Sequence, residues 1–118
     1  MIDKINELVG TPYDISSYHC WHLVKDLVPG APDFEVVAAT YATSLKLCNE
    51  STYDNLHEVT SPIDGDILLL GRNIDHLYHA GVYFQGKVVH CDVPAVQVNE
   101  LSDMRKLYPG MRILRCTT

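Results

Sequence analysis

The 118-residue chain lacks several features that identify whole classes of protein. It has no run of lysine or arginine, and its net charge of −6 gives no attraction toward a phosphate backbone or an anionic membrane surface. No segment approaches the ~20 apolar residues that span a bilayer, and no basic region precedes an apolar stretch at the N-terminus. We therefore expect no nucleic-acid partner, no membrane partner and no export signal. We expect synthesis in the cytoplasm.

Cysteine is scarce as well, and its four positions are irregularly spaced, at Cys20, Cys48, Cys91 and Cys116. A chain of this length can bury a core without disulfide bonds, so the spacing favours reduced thiols. Neither a CxxC pair nor an HExxH segment occurs, which argues against a structural zinc site. We expect no metal and no cofactor, and we expect Cys48, Cys91 and Cys116 to be buried.

The apolar residues, 47% of the chain, are enough for one core, and we predict a single domain over residues 1–118. Helical spacing of apolar side chains predicts helices over residues 2–9, 20–28 and 34–48. The second half of the chain has short apolar or alternating runs instead. These runs predict strands over 66–70, 77–84, 87–92, 96–98 and 111–116, with one helical turn over 102–108. Helices followed by antiparallel strands indicate the α+β class.

The segment SSYHCWHLV, residues 16–24, places Cys20 where a polar loop meets a helix. A helix N-terminus lowers the pKa of a thiol because its unpaired amides and its dipole favour negative charge. The amide N–H of Cys20 is also a candidate donor to an oxyanion. Cys20 is therefore a candidate nucleophile, with a metal ligand and a packed thiol as the alternatives.

A cysteine hydrolase also needs an imidazole base and a third polar group that holds the imidazole, and HAGVYFQGKVVH, residues 79–90, can supply both. If the dipeptide at 85–86 forms a two-residue turn, Gly81 pairs with His90. Because side chains alternate along strands, His79 and His90 then lie diagonally on one face, ~7–8 Å apart at the backbone. Gly81 leaves the His90 ring room to lean toward His79.

These positions predict His79 as the base and His90 as the group that orients it. Asp92, which the same register places opposite His79, is the alternative third member. A different reading makes Cys20, His79 and His90 zinc ligands in a protein without catalytic activity.

Four segments, taken in chain order, resemble the motifs of the NlpC-type papain-like cysteine peptidases, which are bacterial and phage enzymes that cut peptidoglycan stem peptides. The segments are GTPY (10–13), HCWHLV (19–24), DGDILLL (64–70) and HAGVYFQGKVVH (79–90). The Cys-Trp pair resembles the phage tail-associated branch of the family. One departure is His19, which stands where the family often has an acidic residue.

This resemblance implies a papain-like α+β fold of the NlpC type, with N-terminal helices packed on an antiparallel sheet. It implies that Cys20 is the nucleophile, His79 the base and His90 the third member. It also implies that Tyr13 and Tyr18 line the cleft or support the oxyanion.

The function expected from these residues is a thiol hydrolase, an endopeptidase or amidase, that cleaves stem peptides through an acyl-enzyme. Two alternatives use the same fold. One is a papain-like acyltransferase or thioesterase, and the other is a catalytically retired assembly module of a phage tail or secretion device. Because wall-binding repeats are absent from the sequence, tail or secretion-assembly proteins are the candidate partners beside the peptide substrate. Access to a cell wall would then be supplied by lysis, a virion or a secretion system.

Overall fold

The computed structural model describes residues 1–14, 16–32 and 55–117. Helices in these ranges are α1 (Ile2–Leu8), α2 (Cys20–Leu27) and α3 (Leu101–Leu107). Strands are β1 (Leu56–Val59), β2 (Ile67–Asn73), β3 (His76–Phe84), β4 (Lys87–Asp92), β5 (Ala95–Glu100) and β6 (Gly110–Cys116). The helix predicted over 34–48, together with Cys48, lies outside the described residues.

The six strands form one antiparallel sheet in the order β1-β6-β2-β3-β4-β5. Helix α2 packs against β3 and β4, and Ile5 of α1 joins the same core. The predicted α+β class is thus confirmed, as is the packing of the two N-terminal helices on an antiparallel sheet.

Three local predictions were wrong or incomplete. The strand β1 was not predicted, because its four residues hold only Leu56 fully buried and form a short edge beside β6. The helix α3 has seven residues rather than a single turn. Cys116 is only half-buried, since its thiol lies at the rim of the core, where it donates to the Pro29 carbonyl 3.7 Å away.

The sheet has two covered faces, and alternation along each strand decides which face a side chain joins. The α2 face carries the larger core, which includes Cys20, Trp21, Leu69, Ala80, Val82, Val89 and Cys91. The α3 face carries a smaller one, made of Leu68, Leu70, Val88, Met104 and Ile113. His79 and His90 alternate with Ala80 and Val89, so their side chains belong to the α3 face.

The hairpin register predicted from the turn at 85–86 is confirmed. Gln85 and Gly86 have φ of 50° and 81°, the positive values that a tight two-residue hairpin turn requires. Phe84 pairs with Lys87, and Gly81 pairs with His90. The relative position of His79 and His90 on the sheet could therefore be calculated from the sequence alone.

Strand β3 has a bulge directly next to His79. Leu70 of β2 pairs with His79, whereas the next residue, Gly71, pairs with Leu77, so Tyr78 is the extra residue. Leu77 therefore returns to the α2 core, while His79 stays on the α3 face beside Leu70. The buried ring of His79 thus lies at the last regular pair before the pairing of β3 with β2 is interrupted.

Candidate active site

His79 and His90 form a buried hydrogen-bonded pair. The Nε2 atom of His79 lies 2.8 Å from Nδ1 of His90, and the ring planes are nearly perpendicular, at 83°. The two side chains are only 5% and 4% exposed. Gly81 supplies the space, because a Cβ there would lie 3.2 Å from the Cβ of His90. The predicted diagonal approach of the two rings is confirmed.

The pair continues to a residue that sequence reasoning missed. The Nε2 atom of His90 lies 2.7 Å from Oδ1 of Asn99. On β5, Asn99 pairs with Val88, while His90 pairs with Gln97, so Asn99 is the diagonal neighbour of His90 on the same face. We call His79, His90 and Asn99 the histidine relay.

The relay has a direction, which follows from the acceptor at its end. An amide oxygen only accepts, so Nε2 of His90 carries a proton and donates a hydrogen bond to Asn99. In a neutral His90 ring, Nδ1 is then an acceptor, and the Nε2–H of His79 donates to it. The lone pair of His79 is left on Nδ1, where it can take a proton.

Burial disfavours the charged form of both rings. It lowers the pKa of His79 well below the ordinary 6.5, and the nearby His90 lowers it further. Burial also lowers the pKa of His90, against the smaller opposing effects of the Asn99 hydrogen bond and the Asp92 charge. A neutral His79 at neutral pH is the form that can act as a base.

Asp92 lies close to both rings without bonding to either. Its charge favours the protonated forms of His79 and His90, and its Oδ1 accepts a hydrogen bond of 2.8 Å from the backbone N–H of Val93. Of the two candidates for the third position, His90 is therefore the one that His79 contacts directly. Asp92 acts on the pair through charge alone.

His79, His90 and Asp92 could also each offer one ligand atom to a metal ion. In the described part of the chain, the ligand atoms of His79, His90 and Asp92 lie within 4.8 Å of one another, and Cys20 is not in this group. Two ligands on tetrahedral zinc at 2.0–2.1 Å would sit ~3.3 Å apart. The 2.8 Å between the two rings is instead a hydrogen-bond distance.

Cys20 is the first residue of α2, as predicted, and its side chain is completely buried, with 0% exposed. It packs in the core of the α2 face, on the helix that lies against β3 and β4. The structure therefore brings His79, His90 and Asp92 together on the α3 face. It places Cys20 in the core of the other face, at the start of α2.

Two histidines define the start of α2. His19 is the N-cap, and its Nδ1 accepts from the backbone N–H of Trp21 at 3.2 Å. In return, Nδ1 of His22 accepts from the backbone N–H of His19, also at 3.2 Å. Burial, together with His22, lowers the pKa of His19 to about 4, which keeps the cap in its accepting form. His19 and His22 thus fix the backbone where α2 begins at Cys20.

The two predicted cleft tyrosines occupy different positions. Tyr18 donates from its hydroxyl to Asp26 on α2 at 2.6 Å, and its ring stacks against His22. Tyr13 is half-buried, and its pKa is raised by burial first and then by charge on Cys20 and on Asp92. Tyr13 is therefore close to the candidate nucleophile, whereas the Tyr18 hydroxyl is hydrogen-bonded to a residue of α2.

Tyr108, which follows α3, is a second residue that sequence reasoning missed. Its ring stacks on His79 with centroids 5.5 Å apart. Its pKa is raised to about 12, by burial first and then by Asp92, Tyr78 and Cys20. The ring of Tyr108 therefore covers His79 on the α3 face.

Comparison with known proteins does not assign the chain to a family. Neither a protein-family model nor a curated protein matches the chain. None of the helices in the described part of the chain is long and apolar enough to span a membrane. Function must therefore be inferred from the side chains themselves.

Proposed function

We propose that the protein is a thiol hydrolase with a papain-like fold of the NlpC type, in which Cys20 is the nucleophile, His79 the base and His90 the third member. The observation that carries this proposal is the histidine relay, with its 2.8 Å and 2.7 Å hydrogen bonds. The relay supports His79 as the base, because it leaves this buried, neutral imidazole with a lone pair on Nδ1 that can accept a proton.

The Cys20 thiol is buried in the core of the α2 face, so the proposed reaction requires it to come into contact with Nδ1 of His79. Nδ1 of His79 then takes the thiol proton, and the thiolate attacks the carbonyl carbon of the scissile amide. The backbone N–H of Cys20 donates to the oxyanion that forms. When the tetrahedral intermediate collapses, the C–N bond breaks and His79 returns the proton to the leaving amine. Water, deprotonated by His79, then attacks the thioester carbonyl. The C–S bond breaks, the carboxylic acid product leaves, and His79 returns the proton to the Cys20 thiolate.

The imidazolium that forms between these steps needs a counter-charge, since burial disfavours it. Asp92 supplies negative charge beside both rings. His90 can take up part of the positive charge through its hydrogen bond to His79. His79, with His90 and Asp92 beside it, is thus suited to hold a proton between the two steps and then release it.

The proposed substrate is the stem peptide of peptidoglycan, and this part of the proposal comes from the four motifs. The Cys-Trp pair at the nucleophile favours the phage tail-associated branch. Delivery to a wall would then depend on a virion or a secretion assembly, whose proteins are the proposed partners.

The test is mass spectrometry of purified muropeptides after incubation with the wild type, Cys20→Ala and His79→Gln. Cys91→Ala is the matched control, because Cys91 is equally buried and burial raises its pKa to about 11. We expect cleavage by the wild type and by Cys91→Ala only. Full cleavage by Cys20→Ala would refute the mechanism. Acyl-ester substrates run in parallel test the acyltransferase or thioesterase alternative.

The complete burial of Cys20 favours a second candidate, the retired assembly module. A buried thiol in an apolar core is a packing residue in most proteins. A wild-type protein that cleaves neither muropeptides nor esters, and whose Cys20 thiol reacts only after unfolding, would establish this second function instead.

A further inference from the structure

We infer that Asn99 is a positioning residue, whose amide oxygen holds the ring proton of His90 on Nε2 and thereby sets the direction of the whole relay. The inference rests on the proposed function, and it adds a fourth residue to the site. Asn99 would act through His90 and never touch the substrate.

Such a residue is needed because either nitrogen of a neutral imidazole can carry the proton, so two hydrogen-bonded imidazoles alone do not fix which nitrogens are protonated. With an acceptor at Nε2 of His90, protons sit on Nε2 of both rings, and His79 keeps its lone pair on Nδ1. With a donor at the same place, His90 would hold its proton on Nδ1 and donate toward His79. The proton of His79 would then occupy Nδ1 and block the position that must accept from the nucleophile.

Two amide side chains of β5 lie on the face of His90, and Asn99 is the one that bonds to it. Asn99 reaches Nε2 of His90 at 2.7 Å from the diagonal position. Gln97, directly opposite His90 on the same face, turns its amide away and donates to the Ala95 carbonyl at 3.2 Å. Asp92 bonds to the Val93 backbone instead.

The test compares Asn99→Leu, Asn99→Asp and the control Gln97→Leu, which removes an amide from the same face of the same strand. Nitrogen-15 NMR of the imidazole rings reads which nitrogen is protonated, without substrate. We expect Nε2 protonation of both rings in the wild type, in Asn99→Asp and in Gln97→Leu. In Asn99→Leu we expect His90 to populate both tautomers.

The kinetic readout separates positioning from folding. We expect kcat of Asn99→Leu to fall ~10-fold or more with KM unchanged, because only the protonation state of the base is altered. Asn99→Asp keeps the acceptor, so it should restore kcat and move the acidic limb of the pH profile to higher pH. Thermal unfolding of each variant confirms that it is folded.

Unchanged ring signals in Asn99→Leu would overturn the inference, as would an Asn99→Asp variant with the same tautomer mixture as Asn99→Leu. A folded wild type without any hydrolase activity would refute the proposed function alone, because the ring signals are read independently of turnover.

Discussion

Replacing Gly81 by alanine should disrupt the histidine pair directly. A Cβ at this position would lie 2.7 Å from Cγ1 of Val88, 3.0 Å from the Val89 carbonyl oxygen and 3.2 Å from Cβ of His90. The Val88 methyl can move, but the carbonyl is backbone, so strands β3 and β4 must separate slightly. Overpacking of this kind costs ~2 kcal/mol. In a domain of this size, that corresponds to a melting temperature lower by ~8 °C.

The assay is thermal unfolding combined with imidazole nitrogen-15 NMR, and Gly86→Ala is its control. Gly86 has φ of 81° and nothing within 4 Å of an added Cβ, so its substitution costs backbone strain of ~1 kcal/mol without touching either histidine. We expect both variants to lose stability, but only Gly81→Ala to shift the signals of His79 and His90. Unchanged ring signals and a melting temperature within ~1 °C of the wild type in Gly81→Ala would refute the steric reasoning.

Three further predictions concern stability. Burial lowers the pKa of His79 and His90 from 6.5, so the unfolded chain binds more protons than the folded one, and the free energy of unfolding should fall as the pH drops below 6.5. Urea unfolding at stepped pH should show that this free energy depends less steeply on pH in His79→Gln than in the wild type. Asp66→Asn should cost ~1.5 kcal/mol in urea unfolding, because the buried carboxylate accepts from Arg115 at 2.9 Å and 2.8 Å; a neutral effect would contradict this. His19→Ala should lower the stability of the domain by ~1 kcal/mol, and His19→Asn should restore it, in thermal unfolding.

The parts of the site that could be predicted are those set by short-range geometry. A two-residue turn with glycine permits one register, so the pairing of Gly81 with His90 followed from the turn alone. Alternation then placed His79 and His90 on one face. The start of α2 at Cys20 was equally local, since a polar loop precedes an apolar helical pattern.

Asn99 could have been found by the same reasoning. The next hairpin turns at Val93-Pro94 and pairs His90 with Gln97, which makes Asn99 the diagonal neighbour. It was missed because the predicted strand ended at residue 98, whereas β5 continues to Glu100. An error of two residues in a strand boundary was enough to hide the end of the relay.

Tyr108 could not have been found in this way. It follows α3, and its contact with His79 depends on how that helix packs on the sheet. No local periodicity encodes such a contact between distant segments. The bulge at Tyr78 is similar, because the sequence of β3 has no glycine or proline at that position to indicate it.

The most direct test of the proposed nucleophile is the rate of iodoacetamide alkylation at Cys20 in the folded protein, followed by peptide mass spectrometry over a range of pH. We predict that Cys20 reacts with an apparent pKa clearly below the ordinary ~8.5, and that His79→Gln slows this reaction at neutral pH while Cys91 stays protected. A Cys20 thiol that reacts no faster than Cys91, and only once the chain is unfolded, would contradict the account.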